Sequence, residues 1–402
     1  MKKIYAFVFT LAVMATQVLQ AQNCGARYHD QIFQNVTITS NITYTTSNNT
    51  NLKLDVYEPT GDTASMRPLM ILAHGGSFIG GSKTQDGVVT QLCNSFAKRG
   101  YVCAAINYRL GGIFDMFADS TAKDVVMKAI SDGKSAIRFF KKDAATNNTY
   151  KIDPSKVFVG GNSAGAVLYA HCVFIDSVNE APASLRNIIN LNGGIEGNSG
   201  NDGYSSEATA LVNLAGGLNE AYFVGPGNKP SFNAQGDADN TVPYMCANAQ
   251  GGATPVQLCG LGAMQPYYTQ YSLPHHSIVY PGAGHCPWQS SAAMMTEIDT
   301  TLADFLYDYA CSGVISSVKD VELPVKFSVF PNPAKDMLNI SFADYGRVKS
   351  VQLINALGQI VTEVPVTEPV VSLERGNLSS GVYFVKVITA SSSSSVKKIM
   401  FE

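Results

Sequence analysis

Between Asn35 and about Ala310 the chain alternates short, wholly apolar runs with longer stretches patterned at helical spacing. That alternation restricts the fold more than any other feature. Pro68-Leu69-Met70-Ile71-Leu72-Ala73 has no polar position and stops at His74, just before a Gly pair. A strand that faced water on one side would alternate, so an unbroken apolar strand is buried on both faces. Tyr101–Ile106 and Val157-Phe158-Val159 are of the same type, and Leu52-Lys53-Leu54-Asp55-Val56-Tyr57 has period two. Val89–Lys98 and Asp124–Lys142 read as helices, the second with Val125, Val126, Ala129, Ile130, Ala136, Ile137 and Phe140 on one stripe. Later strands are expected near Ile188–Leu191, Ser231–Ala234 and Ser277–Tyr280, and a last amphipathic helix at Met294–Tyr309. Helices alternating with such strands cover both faces of a mostly parallel sheet, so the expected class is α/β.

The pattern changes after Cys311. Residues 312–325 are polar and aperiodic and read as a linker. Beyond them, short strands recur at Lys326–Phe330, Met337–Phe342, Val348–Ile354, Gln359–Val364, Val370–Leu373, Gly381–Ile388 and Val396–Phe401, with no helix between. Residues 326–402 are therefore expected to form a small antiparallel sandwich. The Ser391–Ser395 run reads as a hairpin tip.

At the other end, Lys2 and Lys3 precede an apolar run from Ile4 to Met14, closed by Gln17 to Ala21. This is the arrangement of a signal peptide spanning 1–21, leaving 22–311 as the first domain. No other run is long enough to span a bilayer, so no integral membrane segment is expected after cleavage. With 28 Lys+Arg against 31 Asp+Glu there is no basic surplus to neutralise phosphates, and nucleic acid is not an expected partner. The eight cysteines contain no C-x-x-C pair, which gives no support to a zinc or redox site. In an exported chain they suit disulfides: Cys246–Cys259 is the favoured pair and Cys286–Cys311 the second. Cys93, Cys103 and Cys172 sit in apolar runs that suit buried thiols.

Gly161-Asn162-Ser163-Ala164-Gly165 follows the strand at Val157–Val159 and opens a helical stretch, Ala166–Val173. As a bare pattern it arises by chance roughly 0.3 times in a chain of this kind, so its setting matters more than its letters. Between a strand and a helix, a turn with Gly on both sides lifts the hydroxyl to the sheet's carboxyl edge. A nucleophilic serine needs a base, and the base an orienting carboxylate. Gly284-His285 follows the strand at Ser277–Tyr280, and Asp237 and Asp239 follow the one at Ser231–Ala234. Asp239 is preferred because it lies further beyond the strand tip; Asp237 is the competitor. The remaining element, His74-Gly75-Gly76-Ser77, ends the first buried strand. The amides of Gly75, Gly76 and Ala164 are expected to converge on a developing oxyanion, with His74 shaping the loop.

These residues resemble the α/β-hydrolases of the carboxylesterase and hormone-sensitive-lipase-like branch over about residues 50–310. Asn107-Tyr108-Arg109-Leu110, Ala136–Phe140 and Ile152-Asp153-Pro154 add to the likeness. The resemblance implies Ser163 as nucleophile with Asp239 and His285 as its relay. Asn162 departs from it, since such proteins commonly carry Asp or Glu there. The tail is similar to the C-terminal sorting domain of the type IX secretion system of Bacteroidota, on Phe330-Pro331-Asn332-Pro333-Ala334, Asn355–Gln359, Gly381–Val387 and Lys397-Lys398-Ile399. That likeness implies the type IX machinery as a partner and passage across the outer membrane to the exterior or cell surface.

The expected activity is hydrolysis of a carboxylic ester through an acyl-enzyme, a chemistry that needs no cofactor or metal. Phe78 and Trp288 are expected pocket walls, with Phe114, Met116 and Phe117 as a rim. Such walls suit feruloyl or acetyl groups on polysaccharides, or aromatic polyesters. A serine peptidase of the same fold and a non-catalytic surface adhesin are the rival readings. For the tail, the rival is a carbohydrate-binding sandwich.

Overall fold

The computed structural model describes residues 24–47, 49–311, 327–342, 345–355, 359–389 and 394–402. The expected signal peptide, the linker and Ser391 to Ser393 of the hairpin tip lie outside these residues. Ser394 and Ser395 belong to the last strand. The chain divides into two compact units, with the division between Ile315 and Ser316.

In the first unit the elements run β1 (Val36–Ser47), β2 (Thr50–Pro59), β3 (Arg67–Ala73), α1 (Gly87–Lys98), β4 (Val102–Ile106), α2 (Asp119–Ala145), β5 (Ile152–Asn162), α3 (Ala164–Phe174), α4 (Ala183–Leu191), β6 (Ala210–Leu214), β7 (Ser231–Gly236), β8 (Cys246–Asn248), β9 (Gln257–Cys259), α5 (Leu261–Gln270), β10 (His275–Tyr280) and α6 (Ala292–Cys311). Eight strands form one sheet in the order β1-β2-β4-β3-β5-β6-β7-β10. From β4 to β10 all neighbours are parallel; β1 and β2 are antiparallel additions at one edge.

The unbroken apolar run of β3 has the meaning its sequence suggests. Leu69 and Ile71 join the core on one face with Ile137 and Phe140 of α2 and Leu168 of α3. Met70 and Leu72 join the core on the other with Val89 and Phe96 of α1 and Ile298 and Leu302 of α6. Each fully buried side chain of this size contributes about 1.5–3 kcal/mol relative to exposure, so the two-sided core fixes the register of the central strands.

One expected strand is a helix. Ile188–Leu191 lies in α4, where Leu185, Ile188 and Ile189 are buried and Leu191 is 80% exposed. Burial at i, i+3 and i+4 is helical spacing. The strand beside β5 is instead β6, whose polar Asn213 is paired through its Nδ2 with Asn233 Oδ1 at 3.0 Å. The cysteine pairing also differs in part. Cys246–Cys259 is bridged, across β8 and β9, but Cys311 pairs with Cys24 and not with Cys286. Cys286 is held elsewhere: its thiol, pushed up by burial, donates to Asn162 Oδ1 at 3.3 Å.

The second unit contains β11 (Phe327–Phe330), β12 (Met337–Phe342), β13 (Val348–Asn355), β14 (Ile360–Pro365), β15 (Val370–Glu374), β16 (Gly381–Thr389) and β17 (Ser394–Phe401). They form two antiparallel sheets, β11-β12-β15 and β14-β13-β16-β17. Leu338 and Ile340 from the first share one core with Val351, Val385 and Phe401 from the second, as in a sandwich. Among the described residues, no helix is long and apolar enough to cross a membrane.

Candidate active site

β5 leads directly into Ser163, whose backbone sits at φ 55° and ψ −118°, and α3 begins at the next residue. This is a strained conformation for a residue with a Cβ, and the surroundings hold it there. The Ser163 amide donates to Leu214 O at 2.8 Å. A Cβ on Gly161 or Gly165 would collide with the Ala73 carbonyl oxygen at the end of β3. Both glycines of the motif are therefore required by the close approach of two chain segments.

Ser163, His285 and Asp239 are brought together. His285 Nε2 lies 2.7 Å from Ser163 Oγ, and its Nδ1 lies 2.7 Å from Asp239 Oδ2. The Asp239 carboxylate is fully buried and held from several sides. Its Oδ1 accepts from the amides of Thr241 at 2.9 Å and Val242 at 3.1 Å, and its Oδ2 from Gln235 Nε2 at 3.3 Å. With one oxygen occupied by two amides, the other is directed at the imidazole. The competitor, Asp237, is exposed and accepts the Gly282 amide at 2.6 Å, which braces the turn before His285.

The loop after β3 approaches the serine closely: a Cβ on Gly75 would stand 3.3 Å from Ser163 Cβ. The expectation for the Gly75 amide fails, because it donates to Asp86 Oδ2 at 2.8 Å and is not available to substrate. Gly76 and Ser77 line the cleft beside Ser163, and among the described residues their amides have no acceptor. Ala164 is the first residue of α3, where a backbone amide has no acceptor within the helix. His74 is structural in its contacts: it stacks on Tyr108 with centroids 4.4 Å apart, and its Nδ1 lies 2.6 Å from Gly75 O. Burial lowers its affinity for a proton.

Two cavities meet at Ser163. The first, about 260 Å³, is almost entirely apolar and is walled by Phe78, Met127, Ile130, Val167 and Leu185, with Ile113, Met116 and Phe117 at its margin. The second, about 330 Å³, is more polar and is bounded by Gly76, Gln85, Asn162, His285 and Gln289. Phe78 thus stands where a pocket wall was expected. Trp288 does not: it is 2% exposed, packs against Tyr280, and donates its indole N–H to Asn162 Oδ1 at 3.2 Å. A buried indole needs an acceptor, and meeting that need takes it away from the cavities. Phe114, 82% exposed, also lies outside the cavity lining. His171 also lines the apolar cavity. Its Nδ1 donates to Val167 O at 2.8 Å and its Nε2 accepts the Asn219 amide at 3.0 Å. Burial pushes it down to about 4, so it is a neutral wall at ordinary pH.

Three contributors carry no mark that sequence reasoning used. Asp86 has a visible signal, an acidic residue just before a helical run, where it caps α1. Gln235, the last residue but one of β7, gives no such signal. The disulfide-closed hairpin of β8 and β9 supplies Ala249, Gln250, Val256 and Leu258 to the apolar cavity, and Gln250 Nε2 donates to Ser77 Oγ at 2.9 Å.

Comparisons with known proteins agree with this architecture. The BD-FAE family matches residues 54–250, and a secretion system C-terminal sorting domain matches residues 328–402. Mouse (Mus musculus) carboxylesterase 3B is 34% identical over 120 residues, 29% of this chain and 19% of the relative. A probable isoprenylcysteine alpha-carbonyl methylesterase of rice (Oryza sativa subsp. japonica) is 30% identical over 129 residues, 32% of this chain and 26% of the relative. The chain therefore spans about a fifth to a quarter of the curated relatives it matches. Among solved structures, esterase 2 of Thermogutta terrifontis superposes with a TM-score of 0.51 at 21% identity, over 70% of this chain and 97% of that one. This likeness bears on fold.

Proposed function

We propose, for a chain that carries an α/β-hydrolase domain of the BD-FAE type and a secretion-system sorting domain, that it is an exported serine esterase acting on esters of apolar acyl groups. The observation that carries the reading is the unbroken relay from Asp239 through His285 to Ser163, with 2.7 Å at each step, opening onto an apolar cavity. Ser163 Oγ attacks the ester carbonyl while His285 Nε2 takes its proton. Asp239 accepts from Nδ1–H, which fixes the tautomer and stabilises the imidazolium. The tetrahedral oxyanion is held by the amides of Gly76 and Ala164. His285 then returns the proton to the departing alcohol, and a water repeats the sequence on the acyl-enzyme.

The cavities divide the substrate. The acyl group enters the space walled by Phe78, Met127 and Val167, and the alcohol leaves through the more polar cleft toward Gln85 and Gln289. A cavity of about 260 Å³ is left largely unfilled by acetyl and suits a medium aliphatic chain or an aromatic acyl such as feruloyl. Each methylene buried there contributes about 0.8 kcal/mol. Steady-state kinetics should therefore give kcat/KM at least about tenfold higher for p-nitrophenyl hexanoate than for p-nitrophenyl acetate, with methyl ferulate also hydrolysed. A preference for acetate would contradict the acyl assignment, and faster cleavage of peptide anilides would favour the peptidase. The sorting domain points to export by the type IX machinery to the exterior or cell surface.

A further inference from the structure

We infer that Asp86 is a positioning residue that holds the oxyanion loop in register with the nucleophile turn, an inference that rests on the esterase reading and deepens it. One carboxylate joins three parts of the molecule. Its Oδ1 accepts from the amides of Val88 at 3.0 Å and Val89 at 3.3 Å, which caps α1. Its Oδ2 accepts the Gly75 amide at 2.8 Å and the Asn162 side-chain amide at 3.2 Å. Asn162 Oδ1 in turn accepts from Trp288 Nε1 and from Cys286 Sγ, the latter next to His285. The loops after β3, β5 and β10, which carry Gly76, Ser163 and His285, are thus tied through one carboxylate–carboxamide pair.

The direction of each bond matters. Asn162 must donate to Asp86 with its nitrogen and accept from the indole with its oxygen, so its amide has one orientation. Asp86, receiving four N–H groups, uses both oxygens. Gly75 precedes Gly76, so the bond from the Gly75 amide to Asp86 anchors the chain one residue before the glycine that lines the cleft beside Ser163. An oxyanion donor misplaced by about 1 Å costs on the order of 10²-fold in rate. A helix cap alone would touch none of this.

Asp86→Ser separates the two roles. A serine caps a helix as well as an aspartate does, yet its side chain is too short to serve Gly75 and Asn162 as well. We expect Asp86→Ser to melt within about 2 °C of wild type, to lose kcat about 10- to 100-fold, and to change KM less than about threefold. Affinity for a trifluoromethyl ketone, which forms a tetrahedral adduct, should fall by the same factor as kcat. Asp86→Ala should match it in kcat and melt lower. Hydrogen exchange adds a readout free of turnover: amides of residues 74–82 should exchange faster in Asp86→Ser, while those of α1 stay protected. Full kcat in Asp86→Ser, or unchanged exchange in 74–82, would reduce Asp86 to a helix cap. If Asp86→Ser does not fold, Asn162→Ala, which keeps the α1 cap and the Gly75 bond but frees the carboxylate from the nucleophile turn, must lower kcat by a smaller factor in the same direction and speed exchange in 74–82, or the inference fails. Absence of Ser163-dependent turnover in wild type would overturn the esterase reading, and the exchange data would still decide the tether.

Discussion

Replacing Ser163 with Ala is expected to lower kcat toward p-nitrophenyl esters by roughly 10⁵- to 10⁶-fold, the scale seen when the nucleophile of a serine relay is removed. What remains would come from binding and from the backbone donors, which the substitution leaves in place. The fold should be indifferent. The Ser163 amide keeps its bond to Leu214 O, and alanine has the same backbone strain at φ 55° that serine has already. Circular dichroism and melting temperature should match wild type, which separates lost chemistry from lost structure.

The second large effect distinguishes two acids two residues apart. Asp239→Asn should reduce kcat by about 10⁴-fold, and Asp237→Asn by less than about twofold. The asymmetry follows from who donates to each. At 239, the amides of Thr241 and Val242 hold one oxygen in place, so an asparagine keeps its oxygen there and turns its NH₂ toward His285. Nδ1 must then accept instead of donate, which moves the ring proton to Nε2, facing Ser163. An imidazole with its proton on that nitrogen cannot take one from the serine. Gln235 Nε2, also a donor to the same oxygen, meets a donor as well. At 237 the carboxylate accepts one amide, that of Gly282, and an asparagine oxygen does the same. Equal losses in the two variants would show that the exposed acid shares the relay.

Much of this site was legible because the chemistry sits where strands end. β3 and the Val157–Val159 part of β5 announce themselves as apolar runs, β7 and β10 are shorter and carry polar residues, and Gly76, Ser163, Asp239 and His285 follow the four tips in sequence. Illegible features depended on partners distant along the chain. Nothing local to Gly75 shows that Asp86, eleven residues on, takes its amide away from the oxyanion. Trp288 follows His285 by three residues, which suggests a pocket wall. Its indole instead finds an acceptor on Asn162, 126 residues away. Ile188–Leu191 failed for another reason: four residues are too few to distinguish a strand from the buried edge of a short helix. Cys286 and Cys311 lie near one another in sequence, but the end of α6 meets the start of the described chain at Cys24.

The proposed chemistry requires Ser163 to be the group that becomes acylated. Treating the purified protein with a fluorophosphonate and mapping the adduct by peptide mass spectrometry tests this directly. Phosphonylation should be stoichiometric, confined to Ser163, absent in Ser163→Ala and strongly slowed in His285→Ala. An adduct on any other residue, or undiminished ester hydrolysis after Ser163 is fully modified, would contradict it.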